Sequence, residues 1–292
     1  MSDELRTPDR SLREAAERAL AAIGRAGDNL QPVWFTRERA TFLLAEPAPA
    51  LFVKVYQQAE QLEHEVAVLR RAAAAGIPVA PLMAFRGGPP AVLITEQVAG
   101  VPLSSAYPLA AEATGRLLRR FHALGAAPPY AGGQRRWSEF IIDWAEREID
   151  TALARGALTD DEARRLRRHF SGLASVLDRR PCALLQGDFQ TAHVLIDPAT
   201  QHVSALLDFV DTQPGDPLVD IAILTLWDQA LTPAVLRGYG SDDPDAPALL
   251  PAYRLLRLLA AANWLVANGA PEYLPAHERA VHQALEIEIE HR

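Results

Sequence analysis

The chain has 292 residues, which is enough for two domains, or for one large domain with two lobes, at roughly 150 residues per domain. Hydrophobic residues make up 49% and charged residues 23%, as in ordinary soluble proteins, and a formal charge of -8 disfavours a nucleic acid or an anionic membrane as the main partner. The single cysteine, Cys182, excludes an internal disulfide framework, and with no secretory signal or long apolar run recognisable we expect a soluble cytoplasmic protein.

The first hundred residues alternate between helical and strand patterns. A helix is predicted over 11–25, where apolar residues recur on one face. Short apolar or β-branched runs divided by turn residues then predict five strands, with a second helix inserted after the third. These segments are 30–36, 41–45, 51–56, 58–75 (the helix), 80–85 and 91–97. We therefore predict a first domain over 1–98, a five-stranded antiparallel sheet with helices.

The remaining residues, 99–292, are predicted to be mainly helical. Amphipathic patterns predict helices at 110–124, 138–154, 160–177, 217–229, 248–266 and 275–290. Two short β runs, 182–185 and 203–207, bracket a polar segment. Four tryptophans at helical spacing are predicted to lie in the core: Trp137, Trp144, Trp227 and Trp264. The predicted fold class is α+β, with a small antiparallel-sheet N-lobe and a larger, mainly helical C-lobe.

Lys54 is the only lysine among 29 basic residues, and it lies on the third predicted strand among apolar neighbours. A buried ammonium group is costly unless a partner satisfies it. The next helix offers Glu65, on the same face as Val66 and Leu69. A strand lysine held by a helix glutamate is how kinases grip the α- and β-phosphates of ATP. An edge-strand lysine reaching water is an equally good interpretation of this pair alone.

Two later segments favour the kinase interpretation. Asp188 follows a predicted strand and a glycine, and His193 comes five residues later, which is the spacing from the catalytic Asp to a metal-binding Asn in the kinase loop. Asp208 ends the second β run, where kinases hold Mg²⁺. Phosphoryl transfer needs such groups because positioning and charge neutralisation supply most of its catalysis.

These segments, in this order, resemble the aminoglycoside phosphotransferase and choline kinase family of protein-kinase-like small-molecule kinases. The matching segments span most of the chain: 65–69, 76–81, 93–100, 115–122, 186–195, 207–211 and 215–220. The resemblance implies a two-lobe kinase fold and an ATP- and Mg²⁺-dependent transfer of the γ-phosphate to a hydroxyl of a small molecule. Mn²⁺ is a second candidate metal.

The resemblance also implies roles for individual residues. Asp188 would accept or orient the proton of the substrate hydroxyl, and Asp208 would be the principal Mg²⁺ ligand. Lys54 and Glu65 would form the phosphate-gripping pair. The backbone of Thr95 and Gln97 would hold the adenine, and residues 36–39 would cover the phosphates.

Three positions depart from the family pattern. Gln186 replaces the usual histidine before the catalytic Asp, although an amide can form similar hydrogen bonds. Val210 replaces a glycine after Asp208. His193 stands where the family places a metal-binding Asn, and it is the second candidate metal ligand beside Asp208. Because imidazole suits transition metals better than Mg²⁺, His193 would be a weaker or different ligand, or the second metal would be lost, or the enzyme would be impaired. The alternative hypothesis is therefore a nucleotide-binding, pseudokinase-like protein with little transferase activity.

The acceptor is expected to be a small hydroxylated molecule. The acidic balance is compatible with a cationic acceptor, so aminoglycoside-like, choline-like and sugar-like compounds all remain open. We expect no nucleic-acid or membrane partner, and a monomer or a homodimer.

Overall fold

The backbone of the computed structural model, described here for residues 8–25, 29–125, 136–268 and 270–289, divides into two units. The first unit comprises Met1–Leu103 with Ala192–Thr212, and the second comprises Ser104–Thr191 with Gln213–Arg292. The predicted α+β class, with an antiparallel five-stranded sheet in one unit and mainly helices in the other, is confirmed. The predicted boundary after residue 98 stays a prediction. Residues 192–212, which the sequence placed in the C-lobe, group by contacts with the N-terminal unit.

The first unit is built on a five-stranded antiparallel sheet of order β1-β2-β3-β5-β4. Its elements are α1 (Arg10–Ala22), β1 (Gln31–Phe35), β2 (Arg39–Leu44), β3 (Leu51–Tyr56), α2 (Ala59–Ala74), β4 (Leu82–Arg86) and β5 (Ala91–Glu96). One face packs against α1 through residues such as Phe42, Val53 and Val55. The other face packs against α2 through Tyr56 and Leu93.

Lys54 lies on the central strand of this sheet. It pairs with Thr41 of β2 on one side and Leu93 of β5 on the other, so the edge-strand interpretation does not apply. Successive side chains of a strand point to opposite faces. Since Val53 and Val55 contribute to the core shared with α1, Lys54 is directed to the face that α2 covers.

A second, three-stranded sheet in the first unit carries the later motifs. Its order is β6-β8-β9, with β6 at Val101–Pro102, β8 at Val194–Ile196 and β9 at Val203–Leu206. Of these three strands only β9 was predicted; β6 has two residues, and β8 lies within the segment between the two predicted β runs. Gly100 has a φ of 152°, and a Cβ there would lie 2.8 Å from the carbonyl oxygen of Ile196, so only glycine fits beside β8.

The second unit is mainly helical. Its helices are α3 (Pro108–His122), α4 (Trp137–Ala154), α5 (Asp160–Gly172), α6 (Ala174–Leu177), α7 (Leu218–Leu224), α8 (Thr232–Tyr239), α9 (Ala246–Ala267) and α10 (Leu274–Ile289). Two short strands, β7 (Ala183–Leu185) and β10 (Gln213–Gly215), form an antiparallel pair. Among the described helices, α9 alone is long and apolar enough for a membrane span, and 61% of that stretch is buried inside the protein.

Several predicted helical features differ from the structure. The helix predicted over 160–177 is divided at Leu173, and the one over 217–229 ends at Leu224. Helix α8 and strand β10 were not predicted. The core assignment is wrong for Trp227 and Trp264, which are 56% and 41% exposed. Trp227 lies beyond the end of α7, and for Trp264 on α9 the helical period does not tell which face meets a neighbouring helix.

Helices α3 and α8 approach closely at two glycines, Gly115 and Gly238. A methyl group on Gly115 would overlap the Val235 carbonyl oxygen, and one on Gly238 would overlap the Glu112 carbonyl oxygen. We expect Gly115→Ala to lower the free energy of unfolding by about 3 kcal/mol, because backbone atoms cannot yield as a flexible side chain does. Urea unfolding measures this change.

Gly172→Ala is the matched control. Gly172 lies in α5, and apart from its chain neighbours and the backbone of its own helix no atom lies within 4 Å of a Cβ placed there. Alanine there should be neutral or stabilising by up to about 1 kcal/mol. Equal unfolding midpoints for the two variants would contradict the close helix contact.

Candidate functional site

Lys54, Glu65, Asp208 and His193 lie together in the first unit and are called the Lys54 cluster below. The Lys54 Nζ atom donates to Glu65 Oε1 at 2.6 Å and to Asp208 Oδ1 at 2.9 Å. Glu65 on α2 is only 2% exposed, so its carboxylate depends on this ammonium group for charge compensation. The single lysine thus bridges a helix carboxylate and the carboxylate that follows β9.

Within the Lys54 cluster, Lys54 and Asp208 stabilise each other's charged forms. Burial acts to lower the pKa of Lys54, but the carboxylates of Glu65 and Asp208 outweigh it, and the pKa is raised above the ordinary lysine value. Burial acts to raise the pKa of Asp208, but the Lys54 ammonium group and, to a smaller extent, the neighbouring His193 outweigh it, and the pKa is lowered. At neutral pH Lys54 is therefore a cation and Asp208 an anion.

The backbone also directs Asp208 toward its partners. Asp208 has a φ of 58°, in the left-handed region that few residues other than glycine adopt and that Asp and Asn tolerate best. The preceding residue is held by a hydrogen bond from the Leu207 amide to the His193 carbonyl oxygen, at 2.9 Å. Such backbone strain collects at functional sites, where the surrounding structure maintains it.

His193 ends a 3-10 turn, Thr191–His193, directly before β8. Its Nε2 atom lies 3.8 Å from Asp208 Oδ2. Among the described residues no group of three or more His, Cys, Asp or Glu side chains is arranged to hold a metal ion. Magnesium in kinases is held by one or two carboxylates together with substrate phosphates, so Asp208 fits that ion whereas the His193 imidazole does not.

Residues near the predicted adenine and phosphate positions lie in the same unit. Arg39, at the start of β2, stacks over the rings of Trp34 and Tyr56 at 4.8 and 5.7 Å and adds positive charge to the surroundings of Asp208. Thr95 lies on β5, paired with Phe52 of β3. The Gln97 amide donates to the Ala50 carbonyl oxygen at 2.8 Å, so adenine binding through that amide would replace this bond.

Asp188 lies in the second unit with Gln186, Gln190 and Arg257, and these four are called the Asp188 cluster. Arg257 Nη2 donates to Asp188 Oδ1, and Gln190 Nε2 donates to Asp188 Oδ2 at 2.7 Å. The Asp188 amide donates to Gln186 Oε1 at 2.8 Å, so the glutamine braces the loop as its amide chemistry allows. Both carboxylate oxygens of Asp188 are thus held.

The loop before Asp188 is fixed by a buried carboxylate of α7. Asp220 accepts from the amides of Gln186 at 2.7 Å and Gly187 at 3.0 Å. Gly187 has a φ of 87°, which explains the glycine before Asp188. His122 Nε2 lies 3.0 Å from Asp220 Oδ2, and its Nδ1 lies 2.9 Å from the Tyr239 hydroxyl. His122 therefore acts through Asp220 on the shape of this loop.

Sequence reasoning identified Lys54, Glu65 and Asp208, which the structure brings together, but it missed Arg257. Arg257 lies 69 residues after Asp188, on α9, and the sequence shows only an arginine in an apolar helix. A charged residue in an otherwise buried helix is the signal that could have identified it. Arg180 is a second arginine that bonds to a carboxylate distant in sequence: its Nε atom donates to Oδ2 of the buried Asp216 at 2.7 Å.

Comparison with known proteins matches the chain to a family. A sequence model of the phosphotransferase enzyme family matches residues 29–259. No curated protein matches the chain at a significant level.

Solved structures of the same fold cover nearly the whole chain. A thermostable mutant of aminoglycoside phosphotransferase APH(4)-Ia, in complex with AMP-PNP and hygromycin B, has 18% identity and a TM-score of 0.67, covering 93% of this chain and 98% of its own. Aminoglycoside 2'-phosphotransferase-IIIa, in complex with GDP, has 12% identity and a TM-score of 0.72, covering 95% and 99%. A candidate fructosamine-3-kinase from Thermobifida fusca has 21% identity and a TM-score of 0.67, covering 93% and 99%.

At these identities the solved structures establish the fold, and the family match over residues 29–259 establishes the relationship. The chain therefore belongs to the phosphotransferase enzyme family of small-molecule kinases.

Proposed function

We propose that this protein transfers the γ-phosphoryl group of ATP to a hydroxyl of a small molecule, with Mg²⁺ held at Asp208. The Lys54 cluster carries this proposal, because one lysine pairs with both Glu65 and Asp208 at 2.6 and 2.9 Å. These are the positions from which a kinase grips the nucleotide phosphates and holds its metal. The nucleotide complexes of APH(4)-Ia and aminoglycoside 2'-phosphotransferase-IIIa support nucleotide use by this fold.

In the proposed reaction each group has one task. Lys54, oriented by Glu65, binds the α- and β-phosphates, and the backbone near Thr95 and Gln97 binds the adenine. Asp188 orients the acceptor hydroxyl and takes its proton as the oxygen forms a bond to the γ-phosphorus. The bond from that phosphorus to the bridging oxygen breaks, and ADP leaves with the electron pair. Mg²⁺, held by Asp208, would neutralise the negative charge that develops on the phosphate oxygens.

The metal assignment rests on the donors present. Asp208 offers carboxylate oxygens, which Mg²⁺ prefers, and its pKa is held low, so it is ionised at neutral pH. His193 would favour Mn²⁺ over Mg²⁺ if it joined the coordination. We infer Mg²⁺ as the working ion, with Mn²⁺ as the alternative.

The acceptor in this proposal is a small hydroxylated compound, of the aminoglycoside-like, choline-like or sugar-like kind, phosphorylated in the cytoplasm by a monomer or homodimer. The neighbouring structures support this breadth, since APH(4)-Ia is complexed with hygromycin B and another neighbour is a candidate fructosamine-3-kinase. A coupled assay of ADP release over such acceptors, in Mg²⁺ and in Mn²⁺, tests the transferase activity directly.

Acylation of amines tests nucleotide binding without requiring turnover. Lys54 is the only lysine, so an amine-reactive ester can modify only Lys54 and the chain's α-amino group, which serves as the internal reference. The raised pKa of Lys54 makes its labelling slow in the free protein. Saturating ATP with Mg²⁺ should slow it by at least about tenfold more, because the phosphates cover the ammonium group. Mass spectrometry of the two modified peptides measures the ratio.

Two controls accompany the labelling. AMP lacks the β- and γ-phosphates and should protect Lys54 less than ATP does. Lys54→Arg should remove the second labelled site altogether. Equal labelling of Lys54 with and without saturating ATP would disprove the proposed nucleotide site.

One observation favours a second candidate, a nucleotide-binding protein with little transferase activity. His193 stands where the family has an Asn as second metal ligand, and its Nε2 atom lies 3.8 Å from Asp208 Oδ2. An imidazole offers nitrogen ligands only, whereas Mg²⁺ prefers oxygen. Under this alternative ATP still protects Lys54, while ADP release stays at the level of an Asp188→Asn variant with every acceptor and either metal.

A further inference from the structure

The carboxylate of Asp188 is paired with a guanidinium group that has no role in the proposed reaction. Arg257 Nη2, on α9, donates to Asp188 Oδ1 across 69 residues of sequence. The two side chains are 26% and 17% exposed, so the pair is neither a fully buried structural bridge nor a solvated surface contact. A partly dehydrated arginine therefore touches the group that orients the acceptor hydroxyl.

This arrangement fixes the position of the carboxylate. Arg257 holds one oxygen and Gln190 Nε2 holds the other at 2.7 Å, so rotation of the carboxylate would break a bond on either side. Each carboxylate oxygen has more than one lone pair, so a bond from Arg257 or Gln190 does not by itself prevent that oxygen from accepting one from the acceptor hydroxyl. Holding a reacting group in a narrow range of orientations is a large part of what positioning contributes to rate.

Arg257 also keeps hydrogen-bonding capacity. A guanidinium has five N–H donors, and among the described residues the only hydrogen bond from Arg257 goes to Asp188. Arg180, in contrast, divides its donors between Asp216 and Asp243. A hydroxyl bonded to Asp188 at about 3 Å lies within a few ångströms of the Arg257 guanidinium, and so do the substituents on the adjacent carbon.

We infer that Arg257 is a positioning residue for Asp188 and a specificity-determining residue for the acceptor; the inference rests on the proposed phosphotransfer. It favours acceptors that carry neutral or anionic oxygen groups beside the reactive hydroxyl, as in sugars, polyols and sugar acids. It disfavours a hydroxyl flanked by an ammonium group, because an ammonium group has no lone pair to accept the hydrogen bonds that Arg257 offers.

The experiment compares neutral sugars with their amino analogues. Glucose and glucosamine, galactose and galactosamine, and gluconate as the anionic member are assayed for kcat/KM by ADP release, with the products identified by mass spectrometry. The wild-type chain should prefer at least one neutral or anionic member over the matched amine by about tenfold or more. Arg257→Gln should bring that ratio close to one, whereas Arg257→Lys should retain the preference for the uncharged acceptor.

A second readout separates positioning from stability. Arg257→Ala should lower kcat with the preferred acceptor while leaving the KM for ATP unchanged. Guanidinium ion added to this variant should restore part of the rate, whereas the same concentration of urea, the uncharged control, should not. Arg254→Gln is the matched control: Arg254 lies one turn earlier on α9 and bonds to the hydroxyls of Thr225 and Thr232. That variant should leave the acceptor ratio unchanged.

Several results would overturn the inference. These are an unchanged acceptor ratio in Arg257→Gln, a wild-type preference for the amines, or higher rates with every acceptor in the variant, which would make the pair inhibitory. Failure of the wild-type chain on all neutral and anionic sugars also overturns it. In that case turnover of other acceptors leaves the proposed function standing, whereas no turnover of any acceptor means that the proposed function itself has failed.

Discussion

Asp188→Asn is expected to lower kcat by about a thousandfold, because an amide cannot take the proton of the acceptor hydroxyl. Asparagine has nearly the shape of aspartate and can still accept a hydrogen bond from Arg257 through its amide oxygen. The loop itself is held by Asp220 through the amides of Gln186 and Gly187, which the substitution does not touch. ATP protection of Lys54 from acylation should therefore stay within about threefold of the wild-type value.

Kinetic constants for the best acceptor, measured beside the protection assay, check this result. Asp161→Asn is the control, since Asp161 is an exposed residue of α5 that pairs with Arg164. It should leave both measurements unchanged. Turnover by Asp188→Asn at the wild-type rate would remove Asp188 from the reaction.

Asp208→Asn is expected to remove metal-dependent turnover, again by about a thousandfold, while the chain remains folded. Asparagine tolerates the φ of 58° at this position, so the backbone need not change. The substitution removes the charge that pairs with Lys54 at 2.9 Å and leaves Lys54 with Glu65 alone. A neutral amide is a poor ligand for a divalent cation compared with a carboxylate.

The rate as a function of Mg²⁺ concentration, with the far-UV circular dichroism spectrum recorded for each variant, measures this effect. A rate within tenfold of wild type, at an unchanged Mg²⁺ requirement, would show that Asp208 is not the principal ligand. His193→Asn is the companion variant and should raise the rate with Mg²⁺ relative to the rate with Mn²⁺ without abolishing turnover. A large gain in rate in that variant would instead favour the nucleotide-binding alternative with a decayed site.

The Lys54 cluster shows why part of the site could be predicted from sequence. Lys54, Glu65 and Asp208 each stand at a recognisable place in a local pattern: within an apolar strand, on the inner face of a helix, and at the end of a strand. Local patterns of this kind follow from residue type and period, and they can be recognised without knowing which other helices and strands pack against them. The pair Lys54 and Glu65 was equally compatible with a phosphate-gripping lysine and with an edge-strand lysine. The later segments around Asp188 and Asp208 favoured the first of these interpretations.

The partners of Asp188 could not be predicted from local sequence patterns. The sequence marks Arg257 only as a charge on an apolar helix, and the same signal is produced by Arg254, which bonds to threonines. Trp264 on α9 fits a helical period and yet is exposed. In each case the period gives the relative direction of the side chains, and the packing of other helices decides which direction is the interior.

By itself the sequence determined the α+β organisation, the family and the identities of Lys54, Glu65, Asp188 and Asp208 as candidate functional residues. Only the tertiary structure decided that Lys54 lies on a central strand and bonds to both carboxylates, and that Arg257 holds Asp188. The physical reason is that strands and helices arise from short-range periodicity, whereas ion pairs between residues 69 or 154 positions apart depend on how those elements pack.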